Sequence, residues 1–231
     1  MNTANLLEIK KRINAAALRA GRDPSDIELI AVSKYKPAED ILEAYNAGQR
    51  HFGENHVQEL VSKIELLPGD IKWHMIGNLQ KNKVKYIADK VCMIHSVGSV
   101  SLAEQIQKEA EKKNCDVDIL LEVNVAGEES KSGFSAEEVY DAAMQIAKLS
   151  RVHIKGLMTV APFVNDPEEN RPVFKKLHDI SVDIERKKVD NISMRELSMG
   201  MSGDFEVAVE EGATFVRVGT AIFGERDYSK N

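Results

Sequence analysis

Short apolar runs alternate with amphipathic segments along almost the whole 231-residue chain, and that alternation most constrains its fold. Residues 27–33 form the first run, β-branched and apolar, and read as a strand. Pro37 opens the helix that follows, which ends near Gly48. Further strands are expected at residues 51–54, 72–77, 91–95, 117–125, 152–160, 192–199 and 214–220. Helices between them are expected at about 55–67, 81–89, 99–113, 135–149, 167–188 and 204–211. One more amphipathic helix, residues 5–20, precedes the first strand and is closed by Gly21 and Pro24. The strands are mostly continuous apolar runs rather than alternating ones, as when both faces of a parallel sheet are covered. Eight such strands in alternation predict a single (β/α)8 TIM barrel with an extra N-terminal helix, one domain over residues 1–231. A doubly wound open sheet is the alternative.

Composition narrows the class of function. Lys and Arg number 31 against 37 Asp and Glu, a net charge of −6, so neither nucleic acid nor an anionic membrane is expected as main partner. Lys81, Lys83 and Lys85 read as one solvated helix face. The two cysteines, Cys92 and Cys115, show no CxxC or zinc-ligand spacing and read as small buried hydrophobes. No signal-peptide core and no membrane-spanning apolar stretch is visible, which predicts a cytoplasmic protein. No heptad seam or large apolar face stands out, which predicts a monomer.

Barrels of this kind do their work at the carboxyl ends of the strands. The first strand runs into Lys34, an amine that is either a Schiff-base nucleophile or a solvated charge. Lys155, inside the sixth strand, is its competitor. After the seventh and eighth strands come Ser198, Ser202, Gly203, Gly219 and Thr220, small and hydroxylic residues whose backbone can ring an anion. A phosphate is the expected anion there. Arg217 lies inside an apolar strand and needs a partner. That partner is a carboxylate (Glu122, Glu196 or Glu206) or the ring nitrogen of a cofactor such as pyridoxal 5'-phosphate (PLP). His51 and His74 read as core or hydrogen-bonded histidines, and Glu122 and Asn124 as residues of the barrel mouth.

Ala31-Val32-Ser33-Lys34-Tyr35-Lys36-Pro37, Phe52-Gly53-Glu54-Asn55-His56-Val57-Gln58-Glu59 and Trp73-His74-Met75-Ile76-Gly77-Asn78 resemble motifs of one family, in its order. So do Gly156-Leu157-Met158-Thr159, Leu197-Ser198-Met199-Gly200-Met201-Ser202-Gly203-Asp204 and Val216-Arg217-Val218-Gly219-Thr220. The chain resembles the pyridoxal-phosphate homeostasis protein family across nearly its whole length. The resemblance implies a barrel similar to the N-terminal domain of alanine racemase, with PLP held as a Schiff base on Lys34. It implies phosphate contacts from Ser198, Ser202, Gly219 and Thr220, Arg217 at the pyridine nitrogen, and Asn55 at the cofactor. It implies a role in intracellular vitamin B6 balance without established turnover, with PLP-dependent apo-enzymes as possible recipients. Two other functions stay open: a small PLP-dependent amino-acid racemase, and a cofactor-free Schiff-base aldolase acting on a phosphorylated sugar.

Overall fold

The computed structural model describes residues 2–128 and 132–225. Eight parallel strands close into one barrel in chain order. They are β1 (Glu28–Val32), β2 (His51–Glu54), β3 (Lys72–Met75), β4 (Met93–Val97), β5 (Val117–Glu122), β6 (Val152–Met158), β7 (Ile192–Ser198) and β8 (Phe215–Val218). Closure is made by β8 on β1, with Leu29 opposite Val216 and Ile30 opposite Arg217. The expected (β/α)8 barrel is therefore the observed one, and the open sheet is not.

Helices α1 (Asn2–Arg19), α2 (Ala38–Asn46), α3 (Val57–Leu66), α4 (Val100–Lys113), α5 (Glu138–Ile146), α6 (Arg171–Glu185), α7 (Phe205–Glu210) and α8 (Thr220–Phe223) surround the strands. The extra helix α1 buries Leu6, Ile9, Ile13, Ala16 and Ala17 along one stripe and packs on α7 and α8. Most of the core lies between strands and helices, where Phe52, Leu60, Ile106, Ile119 and Phe174 are fully buried. A smaller apolar cluster of Ile30, Met93, Leu120, Met158 and Phe215 is separate from it.

Four elements differ from expectation. Residues 81–89 give a 3-10 helix, Lys81–Tyr86, in which Val84 is the buried residue, and the buried Ile87 and Ala88 follow it outside the helix. Residues 167–188 divide into a 3-10 turn, Pro167–Asn170, and α6, which starts where Pro172 supplies a first-turn residue without an N–H. β5 stops at Glu122, and only an isolated bridge, Val123 to Phe134, continues beyond it. β8 ends at Val218, and Gly219 leads into the short helix α8 where the strand was expected to reach Thr220.

Candidate functional site

A cleft of about 760 Å³ opens where the loops after β1, β2, β6, β7 and β8 converge. Of the residues singled out in the sequence, Lys34, Asn55, Ser202, Gly203, Arg217, Gly219 and Thr220 all line it. A second groove, about 450 Å³ and lined by Ser181, Glu185 and Met194, contains none of them.

Lys34 sits at the first corner of a tight turn closed by the Lys36 N–H on the Ser33 carbonyl at 3.0 Å. Tyr35 takes the second corner with φ +61°, in the left-handed region. The Lys34 side chain is exposed and, among the described residues, has neither ion pair nor hydrogen bond. The turn beneath it is fastened. Ser33 Oγ donates to Glu54 Oε1 at 2.6 Å, and Lys63 Nζ donates to the Ser33 carbonyl, Glu54 and Glu59 at 2.8, 2.7 and 2.7 Å. Glu59 in turn accepts the Tyr35 N–H at 2.6 Å. Burial pushes the Glu54 carboxyl above its usual range while Lys63 pulls it down. Lys63 was not among the candidates legible in the sequence. Its signal was the Glu59/Lys63 spacing of four on α3, common on any solvated helix face.

Opposite the amine lies an anion-shaped corner. Ser202 Oγ accepts the N–H groups of Gly219 and Ala221 at 3.3 and 3.4 Å. A Cβ on Gly219 would stand 3.2 Å from Val32, so a bare backbone suits this close approach. Gly200 turns the loop with φ +86°, where a Cβ would stand 2.5 Å from Ala208. Asp204 fixes the loop by accepting the Met201 N–H at 2.7 Å and the Asn170 amide at 2.8 Å.

Arg217 is buried within β8 and reaches the cleft. Nη1 donates to Ser198 Oγ at 2.6 Å and Nη2 to the Thr159 carbonyl at 2.8 Å. Burial lowers its pKa to about 10, with Asp204 and Glu122 opposing the shift. None of the three expected carboxylates forms an ion pair with it among the described residues. Glu196 accepts from Thr214, and Glu206 holds Arg12 and Arg19. Glu122 has its pKa raised by burial, with Arg217 pulling it down through space. A buried guanidinium without a counter-ion at the cleft is costly unless something entering the cleft complements it.

The remaining candidates stand apart. Ser198, the last residue of β7, is fully buried and meets Arg217 and His95 rather than lining the cleft. Lys155 faces outward, 3.4 Å from Asp118. Asn124 folds back on Glu128. His51 and His74 are hydrogen-bonded to each other at 2.9 Å. Among the described residues no cluster of His, Cys, Asp or Glu could hold a metal ion, and no helix is long and apolar enough to cross a membrane.

Comparison with known proteins shows the family and the fold. Residues 5–227 match the model of the alanine racemase N-terminal domain. A pyridoxal phosphate homeostasis protein of Aquifex aeolicus is 47% identical over 224 residues, covering 96% of this chain and 97% of that one. The solved structure of PipY from Synechococcus elongatus with PLP bound superposes with a TM-score of 0.80 at 38% identity, over 94% of this chain and 100% of that one. An alanine racemase of Clostridium difficile shares the fold alone, at 15% identity and a TM-score of 0.74, over 96% of this chain and 57% of that one. With the cleft, the lysine turn and near full-length similarity together, the chain belongs to the alanine racemase N-terminal domain family and, within it, to the pyridoxal phosphate homeostasis proteins.

Proposed function

We propose that this protein binds PLP in the cleft, tethers it to Lys34 and releases it, serving intracellular PLP balance rather than turnover. The observation that carries this reading is Arg217, a buried cation facing the cleft with no carboxylate partner among the described residues. An aromatic ring nitrogen with a free lone pair complements it, because a guanidinium can only donate. The amide groups gathered on Ser202 Oγ suit a phosphate oxygen, and Thr220 adds a hydroxyl nearby. PLP supplies an aldehyde. The Lys34 amine adds to that carbonyl carbon and the carbonyl oxygen leaves as water. Hydrolysis of the C=N bond restores both partners. A guanidinium at the ring nitrogen leaves that nitrogen unprotonated and weakens the ring as an electron sink, which favours holding over carbanion chemistry. Release to PLP-dependent apo-enzymes, in the cytoplasm and from a monomer, completes the proposal.

The test is visible absorption followed by borohydride reduction and peptide mapping. PLP added to the pure protein produces a chromophore, and reduction fixes its mass on the Lys34 peptide. A wild type that stays colourless overturns PLP binding. Steady racemisation of any amino acid well above that by free PLP overturns the carrier role.

A further inference from the structure

Three histidines from adjacent strands form one hydrogen-bonded line inside the barrel. His51 Nδ1 lies 2.9 Å from His74 Nε2, and His74 Nδ1 lies 2.9 Å from His95 Nε2. His95 Nδ1 lies 2.9 Å from Ser198 Oγ, which accepts from Arg217 at 2.6 Å. At the far end, His51 Nε2 stands 3.6 Å from Glu28 Oε2, at the start of β1. The line thus runs from the amino-terminal rim of the barrel to the floor of the cleft.

The chemistry of its two ends gives the line a direction. Arginine carries only donors, so Ser198 Oγ must accept from it. Among the described residues His95 Nδ1 is the one remaining partner of the buried Ser198 Oγ, so the Ser198 hydrogen is satisfied by pointing there, which makes Nδ1 a bare acceptor. A neutral His95 therefore carries its hydrogen on Nε2 and donates to His74 Nδ1. The same logic places hydrogens on Nε2 of His74 and of His51, the last aimed at the Glu28 carboxylate. The neighbours agree. Cys92 Sγ donates to the Trp73 carbonyl and presents its lone pairs to His74 Nε2 at 3.3 Å. Phe215 packs on the rings of His74 and His95, and Lys72 is the nearby cation. Burial holds all three histidines neutral, lowering the pKa of His51 to about 4 and of His74 to about 3.

We infer that His51, His74 and His95 form an oriented relay that takes the Ser198 hydrogen and leaves Ser198 Oγ an acceptor toward Arg217, making His95 and Ser198 positioning residues for Arg217. The relay stands whether or not PLP is the ligand; its consequence for binding rests on the function proposed above.

The experiment uses uniformly 15N-labelled protein without added ligand. Long-range coupling spectra at pH 7 are expected to show all three histidines neutral with the hydrogen on Nε2. A hydrogen on Nδ1 of His74 or His95 overturns the inference. Two variants then separate positioning from packing. His95→Asn keeps an acceptor where Nδ1 was, whereas His95→Gln moves it to the Nε2 position. Exchange of the Arg217 guanidinium hydrogens should stay slow in His95→Asn and rise about tenfold in His95→Gln, the equivalent of one charge-assisted hydrogen bond. Equal exchange in the two variants overturns the inference. If the relay passes and PLP leaves wild type colourless, the cofactor reading falls and the relay remains.

Discussion

The Lys63 ammonium lies 2.7 Å from Glu54 Oε1, and the pair is almost wholly enclosed, with side chains 7% and 0% exposed. It ties α3 to the end of β2 and, through the Ser33 carbonyl, to the turn that presents Lys34. Glu54 Oε2 has no partner among the described residues, so Lys63 and Ser33 alone satisfy this carboxylate.

Removing one member should therefore cost more than removing both. Lys63→Met leaves a buried carboxylate without its cation and is expected to lower stability by about 3–5 kcal/mol. Adding Glu54→Gln should recover much of that loss. Urea midpoints of the three proteins check it; a loss below about 1 kcal/mol for Lys63→Met would show that the pair does not hold the turn.

Acid should destabilise the protein through the barrel histidines. Their folded pKa values lie below the unfolded value, so the unfolded chain binds more protons. Stability is greatest above about pH 6.5 and falls as pH drops, toward about 4 for His51 and about 3 for His74. His74, protonating only near 3, loses roughly 3 kcal/mol by pH 4. Urea denaturation from pH 8 to 5 should show this decline, shallower in His74→Gln. An identical slope in that variant would assign the acid sensitivity elsewhere.

Gly156 should tolerate no side chain. A Cβ there would lie 1.7 Å from the Glu196 carbonyl oxygen, the backbone of the paired strand β7. Backbone cannot yield without breaking the ladder, so Gly156→Ala is expected to cost more than about 4 kcal/mol or prevent folding. A midpoint within about 1 kcal/mol of wild type would contradict so close an approach of β6 and β7.

On the outer surface, Arg171 meets Glu168, Glu210 and Glu211 at 2.6–2.8 Å, while Arg19 reaches Glu206 and Glu210. This network fastens α1 and α6 to α7, the helix after the loop that carries Ser202. Arg171→Met should cost about 1–2 kcal/mol at low salt, a difference that shrinks in 0.5 M salt as screening takes effect (Debye length about 4 Å). Thermal midpoints with and without salt measure it, and a salt-independent loss would point to packing of the arginine stem instead.

Much of this protein was legible from order and composition. Repeated apolar runs with helices between them can bury their surface in few ways, so the barrel followed from the alternation. Lys34 after β1, and the small residues after β7 and β8, then fell on the working face by topology. What the sequence left open was which way each strand residue points. Parallel strands buried on both faces show no polar alternation, so Ser198 and Ser202 looked equivalent although one enters the barrel and the other the cleft. Only the closed barrel brings His51, His74 and His95 into line, takes Arg217 away from Glu196 and Glu206, and sets Lys63 under the Lys34 turn. Such relations join residues as far apart as His95 and Ser198, 103 positions in the sequence, and depend on register and burial, which no local pattern encodes.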